Sequence, residues 1–238
     1  MWCIKISTFG TNRKLSGRQQ KLTSVLRPLQ RLVELAAKGK FEGVEVTKIA
    51  IVTGSTRPGR INDQVAKWVL EHTLPRAEAE FEIVDIADYE LPLLDEPFPA
   101  GYQKYQNNHT KVFSSKIAEF DGYIFIVAEY NHSVTGALKN ALDYLNVEFN
   151  NKAASFVSYG SKGGARAVEH LRGIASELQL AHVRNQVMFS IFSDVENFEI
   201  FKPAETSTSA LDAMLDQLIP WTRAMEYVRN QALVVRAS

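Results

Sequence analysis

The chain has 238 residues, 45% of them hydrophobic and 23% charged, with 27 basic and 27 acidic side chains. That length is enough for one full core, and zero formal charge removes any whole-molecule electrostatic argument for nucleic acid or a membrane surface. The only cysteine, Cys3, excludes an intrachain disulfide and points to a reducing, cytoplasmic setting, and no apolar stretch approaches membrane-spanning length.

The charge balance hides an asymmetry. Residues 1–46 carry nine Lys or Arg against three Glu, leaving residues 47–238 with eighteen basic and twenty-four acidic side chains. No acidic residue precedes Glu34, and Val25, Leu26, Leu29, Leu32, Val33 and Ala36 recur at helical spacing with Arg27 and Arg31 between them. Three readings of this extension stand: an Arg-rich, acid-poor mitochondrial transit peptide, an upstream start, or a loosely ordered tail, with Pro28 inside the helical stripe counting against the address. Gly39 to Gly43 reads as the linker to a domain over residues 47–238.

That domain opens with Ile49-Ala50-Ile51-Val52, apolar throughout and β-branched at three of four positions, as suits a parallel strand buried on both faces. The loop Thr53-Gly54-Ser55-Thr56-Arg57-Pro58-Gly59-Arg60 follows, combining glycines, hydroxyls and two guanidinium groups into a cradle for an oxyanion. Apolar residues at 61, 65, 66, 68 and 69 then predict an amphipathic helix whose free N-terminal amides, from Ile61 and Asn62 onward, face the anion. The dinucleotide fingerprint G-x-G-x-x-G fails at Thr56. The nucleoside-triphosphate loop fails where Arg60-Ile61 stands in place of Lys-Ser/Thr. The hydroxyl-rich monophosphate loop of flavodoxin-like folds has no strict spacing and stays open.

Phe81 to Ile86 predicts a second strand, and the proline-punctuated stretch from Tyr89 to Pro99 a long loop. A helix is expected over 109–120, a third strand over Tyr123 to Ala128, and a helix from Gly136 to Leu145. Between the last two lies a polar loop, Glu129-Tyr130-Asn131-His132-Ser133. A fourth strand over 153–158 ends in Tyr159-Gly160-Ser161-Lys162-Gly163-Gly164-Ala165-Arg166, followed by a helix to Leu178 and a fifth strand over His182 to Met188. Phe189 to Pro203 holds four phenylalanines in irregular company, suited to covering the sheet edge or a partner. Leu211, Met214, Leu215, Leu218 and Ile219 define a last helix that Pro220 is expected to kink.

Strand alternating with helix predicts a three-layer, flavodoxin-like α/β fold with a five-stranded parallel sheet of order 2-1-3-4-5. In that order the polar loops at 54–62, 129–133 and 159–166 all follow carboxyl ends of strands and converge on one crevice. A phosphate cradle beside loops with backbone donors, Tyr130, Asn131, Tyr159 and glycines suits a planar heteroaromatic monophosphate such as FMN. Among other chemistries, a nucleophile elbow at Ser161 lacks its first glycine, replaced by Tyr159, and the five histidines show no metal-ligand spacing. His132 is a loop histidine better suited to hydrogen bonding than to proton transfer.

Three collinear motifs across residues 47 to 190 resemble the NADPH-dependent FMN reductase family. They are Gly54-Ser55-Thr56-Arg57-Pro58-Gly59-Arg60, then Glu129-Tyr130-Asn131-His132-Ser133 with Gly136 to Tyr144, then Tyr159-Gly160-Ser161-x-Gly163-Gly164-x-Arg166. The resemblance implies a homodimer or homotetramer that passes hydride from NADPH through FMN to a flavin, quinone or azo-type acceptor by a ping-pong mechanism. It also implies that Ser55, Thr56, Arg57, Arg60, Ile61 and Asn62 hold the phosphate. Glu129, Tyr130, Asn131, His132 and Ser133 would run beside the isoalloxazine, with Tyr159, Gly160, Ser161, Gly164 and Arg166 at its other edge. The chain departs from the family at Ala128 and Thr135, where proline is usual. The same fold also serves FMN-binding electron carriers without efficient NAD(P)H turnover, which is the rival reading.

Overall fold

The computed structural model describes residues 46–237, so the basic extension, its helical stripe and the glycine linker lie outside the described residues. Five strands pair side by side, all parallel, in the order β2-β1-β3-β4-β5. They are β1 (Lys48–Thr53), β2 (Glu80–Asp85), β3 (Gly122–Ala128), β4 (Lys152–Gly160) and β5 (Leu180–Ser190). The three central strands are buried almost throughout, β3 and β4 at every position, because helices cover both faces and leave no side of the pleat for water. The edge strands β2 and β5 alternate buried with half-buried or exposed positions, as an edge requires.

On one face, α1 (Asn62–Thr73) and α5 (Thr206–Ala237) pack Val65, Ala66, Val69, Leu211, Met214, Leu215 and Leu218 against Ile49, Ile51, Ile124 and Ile126. On the other, α2 (Asn108–Ala118), α3 (Gly136–Asp143) and α4 (Ala165–Glu177) bring Phe113, Ile117, Leu138, Leu142, Val168 and Leu171 onto Phe125, Val127 and Phe156. Each fully buried Ile, Leu or Phe contributes about 1.5–3 kcal/mol of transfer free energy, so these two stripes are the main source of stability.

The fold class, strand order and helix sequence match the expectation from the chain. The fifth strand is longer than its apolar run, reaching Ser190, because a bulge opposite Ala154 to Phe156 lets it continue beside β4. The irregular segment after it contains a short hairpin, β6 (Val195–Glu196) and β7 (Ile200–Phe201). Helix α5 runs on past Pro220 to Ala237. Pro220 lies on the exposed side of the helix, away from the packed stripe. Among the described residues no helix is long and apolar enough to cross a membrane.

Candidate functional site

The β1–α1 loop leaves the sheet through Gly54, where no side chain fits: a Cβ there would stand 2.4 Å from the Ile126 carbonyl oxygen of β3. That close approach lets the buried Asn62 side chain join three elements. It accepts from the Gly54 amide at 3.0 Å, and its Nδ2 donates to the Ile126 carbonyl and to the Tyr159 hydroxyl, both at 3.2 Å. Ser55 is also buried, its Oγ 3.1 Å from the Tyr130 hydroxyl, so the first and second polar loops are tied directly. Arg60 folds back inside the loop. Its guanidinium donates to the Ser55 carbonyl and to Asp85 at the end of β2, and its Nε donates to Asp63 at 3.0 Å.

Arg57 behaves differently. It is exposed, its guanidinium lies 5.8 Å from the centre of the Tyr130 ring, and it makes no side-chain hydrogen bond among the described residues. Beside it, the N-cap position of α1 is Ile61, which offers no side-chain cap, so among the described residues the first-turn amides keep their donors and the positive end of the helix dipole. This is a ready anion site.

Beyond Ala128, Tyr130 and Ser133 exchange backbone hydrogen bonds at 3.0 and 3.1 Å around Asn131 and His132, which both have positive φ, 49° and 73°. Such a turn needs left-handed residues, and asparagine tolerates that conformation better than most. Glu129 lies behind the turn. It takes two backbone N–H groups at the start of α4, from Arg166 and Ala167, and the Arg166 guanidinium. Burial works to raise the Glu129 pKa, but these donors outweigh it and hold the carboxyl below its ordinary range. The helix it caps begins at Gly164 with φ +73°, where a Cβ would stand 2.7 Å from the Ser158 Cβ and only glycine is accommodated. Burial pushes the Tyr159 phenol up to about 12, so it remains a neutral hydrogen-bonding group.

The three loops meet in one cleft of about 340 Å³, lined by Arg57, Ile61, Glu129, Tyr130, Tyr159, Gly160 and Ser161 from the polar loops, with Ile191, Val195 and Phe198 closing it. Of the residues expected from the sequence, seven line this cleft. Ser55, Asn62, Gly164 and Arg166 stand behind it as supports, and Arg60 is spent within its own loop. Thr56 lines a separate cleft of about 300 Å³ with Ile86, Glu90 and Asn140. Asn131 and His132 are exposed at the turn tip, where the His132 ring lies 5.9 Å from that of His170 and His170 pairs with Ser133 at 2.9 Å. Sequence reasoning missed Asp85, which also accepts from Thr53 at 2.7 Å, and the wall from 191 to 198, for which the four phenylalanines were the only signal.

A profile described as NADPH-dependent FMN reductase matches residues 47–194. The chain belongs to the NADPH-dependent FMN reductase family. It is thus an oxidoreductase whose cofactors are FMN and NAD(P)H. An NAD(P)H-dependent FMN reductase of a Nectria species is 35% identical over 159 residues, covering 63% of this chain and 79% of the relative. A quinone reductase of Escherichia coli K12 is 36% identical over 145 residues, covering 53% and 69%. In fold, the chain is similar to the flavoenzyme NAD(P)H:(acceptor) oxidoreductase FerB of Paracoccus denitrificans, with a TM-score of 0.59 at 18% identity over 76% of this chain and 99% of the other. The residues present fit FMN: an uncapped helix beside an arginine that makes no side-chain hydrogen bond among the described residues suits a phosphate, and a cleft bounded by two tyrosines and Gly160 suits a flat ring.

Proposed function

We propose that the cleft at the carboxyl edge of the sheet takes FMN and that the enzyme uses NADPH to reduce a small planar acceptor, a quinone, flavin or azo compound, in two half-reactions that share the site. The observation that carries this reading is the uncapped start of α1 beside the exposed Arg57 guanidinium, opening into the cleft between Tyr130 and Tyr159. Arg57 and the amides of α1 would hold the phosphate, while Tyr130, Tyr159, Gly160 and Ser161 would border the ring. FMN, when bound, supplies the two-electron chemistry that couples the two half-reactions.

The protein's own part is orientation. The Ser55–Tyr130 and Asn62–Tyr159 bonds fix both tyrosines before anything binds, which lowers the ordering cost of binding. Glu129, held as a carboxylate, neutralises Arg166 and anchors α4 behind Gly160. We place the enzyme in the cytoplasm as a homo-oligomer. The long loop before α2 supports assembly, since it leaves Leu93, Leu94, Phe98 and Tyr102 exposed on one short segment.

An anaerobic visible spectrum of the protein with stoichiometric FMN, taken before and after NADPH, tests the reading. A perturbed flavin band that bleaches promptly is expected. A band identical to free FMN would remove the site, and a perturbed band that NADPH leaves oxidised would point to an electron carrier instead.

A further inference from the structure

The fourth wall of the cleft comes from the hairpin at 195–201, which begins after the last residue matched by the family profile, Asp194. Its base is firmly held. Gln64 of α1 donates to the Glu199 carbonyl at 2.7 Å and accepts from the Phe201 amide at 2.9 Å, and Lys202 returns to Asp194 at 2.8 Å. The Phe201 ring packs edge-on against Phe189 and Trp68, with centroids 4.8 and 6.1 Å apart.

The tip is built at a cost. Asn197 and Phe198 both have positive φ, 52° and 59°, with the Glu199 amide bonded to the Glu196 carbonyl at 3.1 Å. Asparagine suits that conformation. A bulky aromatic residue does not, and holding one there strains the backbone. Burial does not offset the cost, because Phe198 is 64% exposed and yet contributes to the cleft wall. Its ring is set edge-on to Phe192, itself 69% exposed, at 6.2 Å and 85°. A strained, exposed aromatic pair on a rigid base beside a cofactor cleft is placed for a ligand rather than for the core.

We propose that Phe198, oriented by Phe192, is a specificity-determining residue that receives the planar ring of the electron acceptor at the mouth of the cleft. This rests on the reductase reading above and names the part of the chain that selects the acceptor. An aromatic wall favours flat apolar rings, which gain stacking and lose water there, over compact charged acceptors, which gain neither.

The test compares 2-methyl-1,4-naphthoquinone with ferricyanide as acceptors for the full-length holoenzyme, after the NADPH half-reaction has been followed anaerobically. In Phe198→Ala, KM for the naphthoquinone is expected to rise roughly 5- to 10-fold, and the kcat/KM preference for quinone over ferricyanide to fall by the same factor, as loss of one stacking contact implies. Phe198→Trp restores the preference, and Phe192→Ala lowers it less than Phe198→Ala does. If wild-type flavin is not reduced by NADPH, the reductase reading falls and takes the proposal with it. If it is reduced but Phe198→Ala loses both acceptors equally, or is slowed chiefly in its reaction with NADPH, the hairpin assignment alone is overturned.

Discussion

At the amino edge of the sheet Lys152 is buried, and its ammonium reaches the Ala118 carbonyl and the Tyr123 hydroxyl at 3.1 Å, while Glu148 accepts from Tyr105, Ser114 and the Asn146 amide. Asp121 pairs with Arg229 and accepts the Lys48 amide. At the carboxyl edge the supporting groups are equally well paired, but among the described residues Arg57 and the first amides of α1 keep their donors. The two edges use the same chemistry to opposite ends. At the amino edge Glu148 and Asp121 find their partners inside the chain and Lys152 finds neutral oxygens, which serves the fold, whereas donors left over at a cleft give affinity for something else.

The largest expected effect breaks the amino edge alone. Glu148→Ala leaves the Tyr105 and Ser114 hydroxyls and the Asn146 amide without their acceptor, so stability should fall by roughly 3 kcal/mol in denaturant unfolding, with FMN affinity of the folded fraction unchanged. Arg57→Ala should do the reverse: the FMN dissociation constant rises about 10- to 100-fold, as loss of a charge-assisted bond implies, while apo-protein unfolding is unmoved. Isothermal titration and thermal melts separate the two.

A pH series sharpens the contrast. Burial, aided by the Arg229 charge and opposed by Asp121 and Glu148, pushes the Lys152 ammonium down to about 8 from its ordinary 10.5. Between those values the unfolded chain holds a proton that the folded chain lacks, so this group's contribution to stability rises with pH across that window. Relative to Lys152→Met, the wild type should gain about 1–2 kcal/mol between pH 7.5 and 9.5 in denaturant unfolding. The smallest change is Thr135→Ala, which removes the cap of α3, where Oγ1 accepts the Leu138 amide at 3.0 Å. Because Oγ1 also donates to the buried Gly54 carbonyl, it should cost about 1–2 kcal/mol in thermal unfolding and weaken FMN binding by less than Arg57→Ala does.

The sheet order and helices were legible because they depend on apolar periodicity, which the chain displays locally, and the meeting of three loops followed from strand order. The division of labour within the site was not. Arg57 and Arg60 look alike in sequence, yet Asp85, 25 residues beyond Arg60, draws Arg60 inward, while the Arg57 side chain makes no hydrogen bond among the described residues. Ser55 reads as a phosphate ligand, and its hydroxyl also ties the first loop to Tyr130, a contact that nothing in the local sequence announces. The length of α5 was hidden because Pro220 signals a break, and only its placement on the exposed face makes the interruption tolerable.

Asn62 and Tyr159 lie 97 residues apart and share one hydrogen bond behind the cleft floor. Neither can change alone without loss: phenylalanine for the tyrosine would strand an amide hydrogen in a buried place, and loss of the asparagine would unfasten the Gly54 amide from its partner. The two positions therefore act as one unit, and replacing both together should cost less than the sum of the two single replacements.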